Sequence, residues 1–283
     1  MATTLKGYVK MTNKILILGR GFIGNRLQEE LGCRLSDRKI HSYQDAEEEI
    51  KRFRPEVIIN CIGHIGMNVD DCEKDLDKSL TANTFVPVIL AEAALRQNVR
   101  LVHISSGCIY HYDYSKDSPI DENKIPDFFE LFYSRTKIYA ERALSVLSKK
   151  YPILIVRLRV PLDKRPHPRN LLTKLINYKK VIDIPNSVTY IPDFINALSH
   201  LIKIDTRGIY NIVNRGGLRY QELMEIYKRY APGFKYELIE LKKLNRVRTN
   251  LILSTDKLEQ SGFKVRSIQE VLEECVREYV NHL

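Results

Sequence analysis

No run of eighteen or more apolar residues occurs in this chain, so it offers no candidate for a membrane-spanning helix. No CxxC pair occurs among its five cysteines, Cys33, Cys61, Cys72, Cys108 and Cys275, and no cysteine–histidine cluster has the spacing of a zinc site. An odd number of thiols, and an opening MATTLKGYVKMTNK without the apolar centre of a secretory signal, give the expectation of free thiols in the cytoplasm. Residues 1–12 read as a short polar extension, with Met11 as an alternative start. There is no internal repeat, low-complexity tract or flexible linker.

Also missing is any element that concentrates basic charge with interleaved aromatics. The net charge is +10, but the basic residues are scattered among 35 acidic ones, so neither nucleic acid nor a membrane is expected as partner. The densest basic stretch, RLRVPLDKRPHPR at 157–169, sets five basic residues against Asp163 and suits a small polyanion such as a pyrophosphate.

What is present is an ordinary globular composition, 44% hydrophobic and 28% charged, in a chain long enough for one or two domains. KILILG, from Lys14, is a continuous apolar run of the kind found in strands buried on both faces of a parallel sheet. It runs into Gly19, Gly21 and Gly24, a GxGxxG, and then into a helical pattern from Asn25. Strand, glycine turn and helix in that order are the dinucleotide fingerprint. EVIINCIG, VRLVHISSG and ILIVRLRV are further apolar strands, each preceded by a helical pattern.

The alternation predicts an α/β fold, a Rossmann-like doubly wound parallel sheet with a smaller C-terminal substrate lobe and a cleft between them. The expected organisation is a nucleotide-binding lobe over 13–160 and a mainly substrate-binding lobe over 161–283, with part of 189–215 packing back on the first. LLTKLINY and the tail from RYQELMEIYKRY to SIQEVLEECVREYV read as helices.

YSRTK places Tyr133 and Lys137 at i and i+4 on one helix face. An ammonium one turn from a phenol favours the phenolate, which makes an acid–base pair for a carbonyl or alcohol oxygen. SSGCIY, at 105–110, ends an apolar run on Ser106 and sets Cys108 two residues on. Packing alone would account for that cysteine, since free cysteine is a small hydrophobe.

These motifs together resemble the extended short-chain dehydrogenase/reductases that act on nucleotide sugars. Gly19, Gly21 and Gly24, with Phe22 and Ile23 between them, match that family's glycine motif, and Ser106, Tyr133 and Lys137 match its triad. INCIGHIG resembles its strand 4 motif, with Cys61, Ile62 and Gly63 toward the cofactor, and Asn83 matches its structural asparagine. SSGCIYHY, FYSRTK, LRVP, HPRNLLTKLINYKKVIDIPNSVT and GIYNIVN resemble plant-type nucleotide-rhamnose synthases, and more distantly dTDP-4-dehydrorhamnose reductases and GDP-fucose synthases.

The resemblance implies a bifunctional 3,5-epimerase/4-reductase converting UDP-4-keto-6-deoxy-glucose to UDP-L-rhamnose with NADPH, in a homodimer. It implies Cys108 and Lys174 as the epimerase pair. Arg169 and Asn170, with Tyr110 and His111, become candidates for holding the substrate. Asn170 serves equally as an N-cap of the helix from Leu171, and His64 reads as a structural histidine. At the end of strand 2, Asp37 suits the ribose hydroxyls of NADH and Arg38 the phosphate of NADPH, and Arg38 favours NADPH. The alternatives are a 2-acetamido-2,6-dideoxy-4-keto substrate of rhamnosamine type, a 4-reductase only, and a non-catalytic NADP-binding regulatory subunit.

Overall fold

The apolar runs build a six-stranded sheet in a computed structural model that describes residues 14–66, 68–243 and 247–283. The polar extension at 1–12, with Met11, lies outside the described residues. In chain order the first elements are β1 (Ile15–Leu18), α1 (Phe22–Leu31), β2 (Arg34–Ser36), α2 (Tyr43–Phe53), β3 (Val57–Asn60), α3 (Leu76–Leu80), α4 (Val86–Arg96) and β4 (Arg100–Ser106). Then come α5 (Phe132–Ser148), β5 (Ile153–Leu158), β6 (Pro161–Leu162), α6 (Leu171–Tyr178), β7 (Lys180–Ile182), β8 (Thr189–Tyr190) and α7 (Ile191–Lys203). The last are β9 (Gly208–Asn211), α8 (Tyr220–Tyr230), β10 (Glu237–Ile239), α9 (Asp256–Gln260) and α10 (Ile268–Val280).

The sheet order is β2-β1-β3-β4-β5-β9, and β1 pairs in parallel with both β2 and β3. Every residue of β1 is buried, as its unbroken apolar run requires. The strand order reverses at β1 and β3. Such a reversal opens a crevice beyond the carboxyl ends of the strands, where α/β sheets bind ligands.

The chain groups into two units. The first comprises residues up to Ser105, Leu131–Val156 and Ile202–Ile209. Its core packs Leu16, Ile58, Leu101 and Ile155 of the sheet against Ile50, Leu90 and Leu144 of α2, α4 and α5. Full burial of side chains of this size stabilises by about 1.5–3 kcal/mol each. Residues 202–209 belong here because buried Arg100 donates to the carbonyls of Ile202 (2.7 Å) and Thr206.

The second unit comprises Ser106–Glu130, Arg157–Leu201 and Tyr210–Leu283. Its core joins α6, α8 and α10 through Leu172, Leu175, Leu223, Met224, Leu272 and Val276. Residues 106–130 belong here through Ile120, whose amide donates to Ile252 (2.8 Å) and whose carbonyl accepts from Ser254 (2.8 Å). Among the described residues no helix is long and apolar enough to cross a membrane, and no group of acidic, histidine and cysteine side chains is placed to hold a metal ion.

Candidate active site

In the first unit the site is built on glycine. Gly19 follows β1 at φ +106°, a conformation other residues rarely adopt. A Cβ there would lie 2.7 Å from the Cys61 carbonyl carbon and the Ile62 nitrogen. A Cβ on Gly24 would lie 2.0 Å from the Gly19 carbonyl oxygen. The turn therefore folds flat against the segment Cys61–Ile62–Gly63, where the Cys61 amide donates to Leu18 at 2.8 Å. α1 starts at Phe22, with Gly21 as its extended N-cap and no acidic residue in its first turn. That is three residues earlier than the pattern from Asn25 gives, because Gly24 is itself in the first turn. The backbone cradle and helix N-terminus fit the pyrophosphate of a dinucleotide. Burial pushes the Cys61 thiol up to about 12, so it faces the turn as a neutral group.

α5 carries Tyr133 in its first turn and Lys137 one turn later, both buried. The Lys137 ammonium donates to the Ile104 carbonyl at 3.2 Å. Burial pulls it down to about 8, although Glu141 opposes that shift. A Cβ on Gly63 would stand 3.7 Å from Lys137 Nζ and 3.2 Å from Asn83 Oδ1, so this glycine leaves room beside the lysine. Asn83 sits in a π-helical turn, Thr81–Phe85, of a kind frequent at functional sites. Its amide clamps the backbone of His64, accepting from the nitrogen at 2.8 Å and donating to the carbonyl at 2.9 Å. A third bond, from Asn83 Nδ2 to Thr136 Oγ1 at 3.2 Å, ties that segment to α5. His64 is thus held by its backbone, with its ring toward Asp75.

The end of β2 differs in detail from its sequence reading. Arg38 pairs with Asp45 (2.9 Å) and Glu48 (2.7 Å) of α2 and is about one third exposed. Arg38 also holds the Asp45 carboxyl far below the usual carboxylate range. Asp37 pairs with Arg20, the residue inside the GxG turn. Sequence reasoning passed over Arg20; its signal was a cation in the first variable position of the glycine motif.

In the second unit, Ser106 ends β4 and its hydroxyl accepts the Cys108 amide at 3.1 Å. Half-buried Cys108 receives a hydrogen bond on its sulfur from Arg159 Nη1 at 3.0 Å. Arg159 was not singled out from the sequence. Arg157 and Arg159 are each 1% exposed, so two of the five charges in the basic stretch are interior ones. Tyr110 sits deeper than a pocket-lining residue would. Its ring is buried beneath the Arg157 guanidinium and its hydroxyl donates to the Lys124 carbonyl, so it packs within this unit. The His111 ring is turned to Glu130 at 3.0 Å.

Asn170 takes its capping role. Its Oδ1 accepts the Leu172 amide and its Nδ2 donates to the carbonyls of Asp163 (2.7 Å) and Arg165 (2.9 Å). It is 0% exposed, and its amide shapes the 163–170 loop. Half-buried Lys174 follows on α6. Burial, then repulsion from Arg169 and Arg248, pulls its ammonium down. The His167 imidazole is lowered likewise by burial and by Arg169 and Lys174. Four basic side chains crowded in this way favour an anion among them.

A family profile described as the RmlD substrate binding domain matches residues 13–200. A bifunctional dTDP-4-dehydrorhamnose 3,5-epimerase/dTDP-4-dehydrorhamnose reductase of Arabidopsis thaliana is 31% identical over 295 residues, covering 96% of this chain and 95% of that one. The same plant's trifunctional UDP-glucose 4,6-dehydratase/UDP-4-keto-6-deoxy-D-glucose 3,5-epimerase/UDP-4-keto-L-rhamnose-reductase is 31% identical over 93% of this chain. The chain spans 42% of that relative's length. Among solved structures, a UDP-rhamnose synthase of Acanthamoeba polyphaga mimivirus superposes with a TM-score of 0.86 at 25% identity, covering 93% of this chain and 98% of that one. A Bacillus anthracis dTDP-4-dehydrorhamnose reductase in complex with NADP shares the fold, with a TM-score of 0.81 at 24% identity, over 93% and 98%.

Proposed function

The chain belongs to the RmlD substrate binding domain family, and from that premise we propose that it is a nucleotide-sugar epimerase/reductase. In this reading it converts UDP-4-keto-6-deoxy-glucose to UDP-L-rhamnose, exchanging protons at carbons 3 and 5 and reducing carbon 4. The observation that carries the epimerase half is the Cys108 sulfur, two residues beyond Ser106 and in contact with a buried guanidinium. A 4-reductase alone has no use for a sulfur base in that position.

The 4-keto group acidifies the protons on carbons 3 and 5, because the electron pair left behind is delocalised onto the keto oxygen. Inversion takes a proton from one face and returns one to the other. We assign those roles to the Cys108 sulfur and the Lys174 ammonium, whose lowered proton affinity suits an acid–base group. The basic side chains around Lys174 provide for the diphosphate of the sugar nucleotide.

The cofactor is NADPH, with the glycine turn and α1 for its pyrophosphate and Arg20 and Arg38 near its adenosine ribose. When bound, the reduced nicotinamide supplies hydride to carbon 4. Tyr133 gives the phenolic proton to the developing alkoxide, Ser106 hydrogen-bonds that oxygen, and Lys137 stabilises the phenolate left behind. Five free thiols suit a reducing compartment.

Proton NMR of the purified protein with UDP-4-keto-6-deoxy-glucose and NADPH in deuterated water tests the reading. The expected product is rhamnose-configured with deuterium at carbons 3 and 5. Cys108→Ala is expected to abolish the labelling, and Tyr133→Phe to slow reduction by at least a hundredfold. Reduction without labelling would make the protein a reductase only. Turnover of a 2-acetamido keto sugar in place of this substrate would move the specificity to the rhamnosamine type.

A further inference from the structure

Arg159 is the second residue of the LRVP motif, whose role the reading above leaves unassigned. It is 1% exposed, and among the described residues no carboxylate pairs with it. A guanidinium buried without a counter-charge is costly. Yet the protein fixes it firmly. Arg159 Nε donates to Asn186 Oδ1 at 2.8 Å, Nη1 to Thr249 Oγ1 at 3.1 Å, and Nη2 to the Thr249 carbonyl. The Nη1 that bonds Thr249 also reaches the Cys108 sulfur at 3.0 Å.

The other titratable groups that interact with this guanidinium are phenols. Tyr220 receives a hydrogen bond from Asn186 Nδ2 at 3.0 Å, and burial pushes its hydroxyl up. Tyr114 donates to the Pro185 carbonyl, and burial pushes it up to about 12, with Arg159 opposing. Both phenols are neutral near pH 7, so neither balances the arginine. The group in contact that can carry a negative charge is the sulfur.

We infer that Arg159 is the positioning residue of the proton-transfer site, aiming the Cys108 sulfur and balancing its negative charge whenever its proton has left. The inference rests on the epimerase reading for its catalytic meaning, but the Arg159–Cys108 pairing can be measured without substrate. Asn186 and Thr249 complete the device. They accept from one N–H each of Nε, Nη1 and Nη2, and the second N–H of Nη1 is given to the sulfur.

The test compares Arg159→Met, Arg159→Lys and Thr249→Val with the wild type. The first readout is the rate at which iodoacetamide alkylates Cys108 in the protein alone at pH 7, followed by peptide mass spectrometry. The second is deuterium incorporation at carbons 3 and 5 of UDP-4-keto-6-deoxy-glucose. The third is NADPH oxidation on keto sugar that a separate 3,5-epimerase has already inverted. For Arg159→Met, alkylation is expected to slow at least tenfold, and exchange to fall by at least ten times more than reduction. Arg159→Lys, which keeps the charge, is expected to recover part of both. Thr249→Val, which keeps the arginine, is expected to lose a few-fold in the same direction, and it stands in if Arg159→Met does not fold. Unchanged alkylation in folded variants overturns the inference, as does an equal loss of exchange and reduction that lysine does not relieve. Arginine-dependent alkylation in a protein that exchanges no deuterium would leave the pairing standing and remove the epimerase reading.

Discussion

Lys137 is a cation kept where water does not reach, and that has a measurable sign. Its folded value of about 8 lies below the roughly 10.4 of an exposed lysine. Between those values the unfolded chain binds more protons than the folded one, so this group makes stability rise with pH across that window. Below about pH 8 the full penalty applies, roughly 3 kcal/mol at about 1.4 kcal/mol per unit. Lys137→Met is therefore expected to resist urea better than the wild type at pH 7, with the gain shrinking toward pH 10. A gain that does not change with pH would locate the effect elsewhere. Lys137 and Tyr133 were legible because their spacing on one helix is itself the signal. Arg159 was not, since its partners Asn186 and Thr249 lie 27 and 90 positions away and its meaning comes from the missing carboxylate. Tyr110 sat in a recognisable motif, but where its hydroxyl would be spent was decided by Lys124, which no local pattern links to it.

The glycine turn shows how one element places another. Gly24 is inside α1 and so close to Gly19 that the helix can pack against the turn after β1 only without a side chain there. Gly24→Ala is expected to weaken NADPH binding more than tenfold and to lower the melting temperature. Fluorescence titration and calorimetry would check this, and unchanged affinity would mean that the turn relaxes at little cost. α6 was readable to its ends because an N-cap asparagine precedes its apolar stripe, and the structure gives Leu171–Tyr178 for the stretch LLTKLINY. The short parallel pair of β6 with β8 was not readable. Two residues carry no period, and Pro161 reads as a loop until Thr189 is brought beside it.

At the scale of the whole molecule, the chain passes from one unit to the other after Ser105, Glu130, Val156, Leu201 and Ile209. Each unit is assembled from three stretches, so neither is a continuous segment. A chain ended after residue 160 would lack β9 and the carbonyls of Ile202 and Thr206 that satisfy Arg100. It is expected to show no cooperative transition in calorimetry, whereas a sharp transition would mean that the first unit folds without its last strand. The sheet as a whole was legible from its apolar runs, and some of 189–215 was expected to pack back on the first lobe; the side chain that holds residues 202–209 there was not legible, because Arg100 lies a hundred positions earlier.

β9 has a further consequence, for the order of events at the ribosome. It is made about 50 residues after β5, the strand it covers. At the usual pace of roughly 5–20 residues per second, the nascent sheet waits several seconds with an open edge. Exposed strand edges recruit other strands, so crowded polysomes are where this protein is most vulnerable to aggregation. Its yield in a cell should then depend on chaperone supply and elongation speed over that interval more than on the stability of the finished fold.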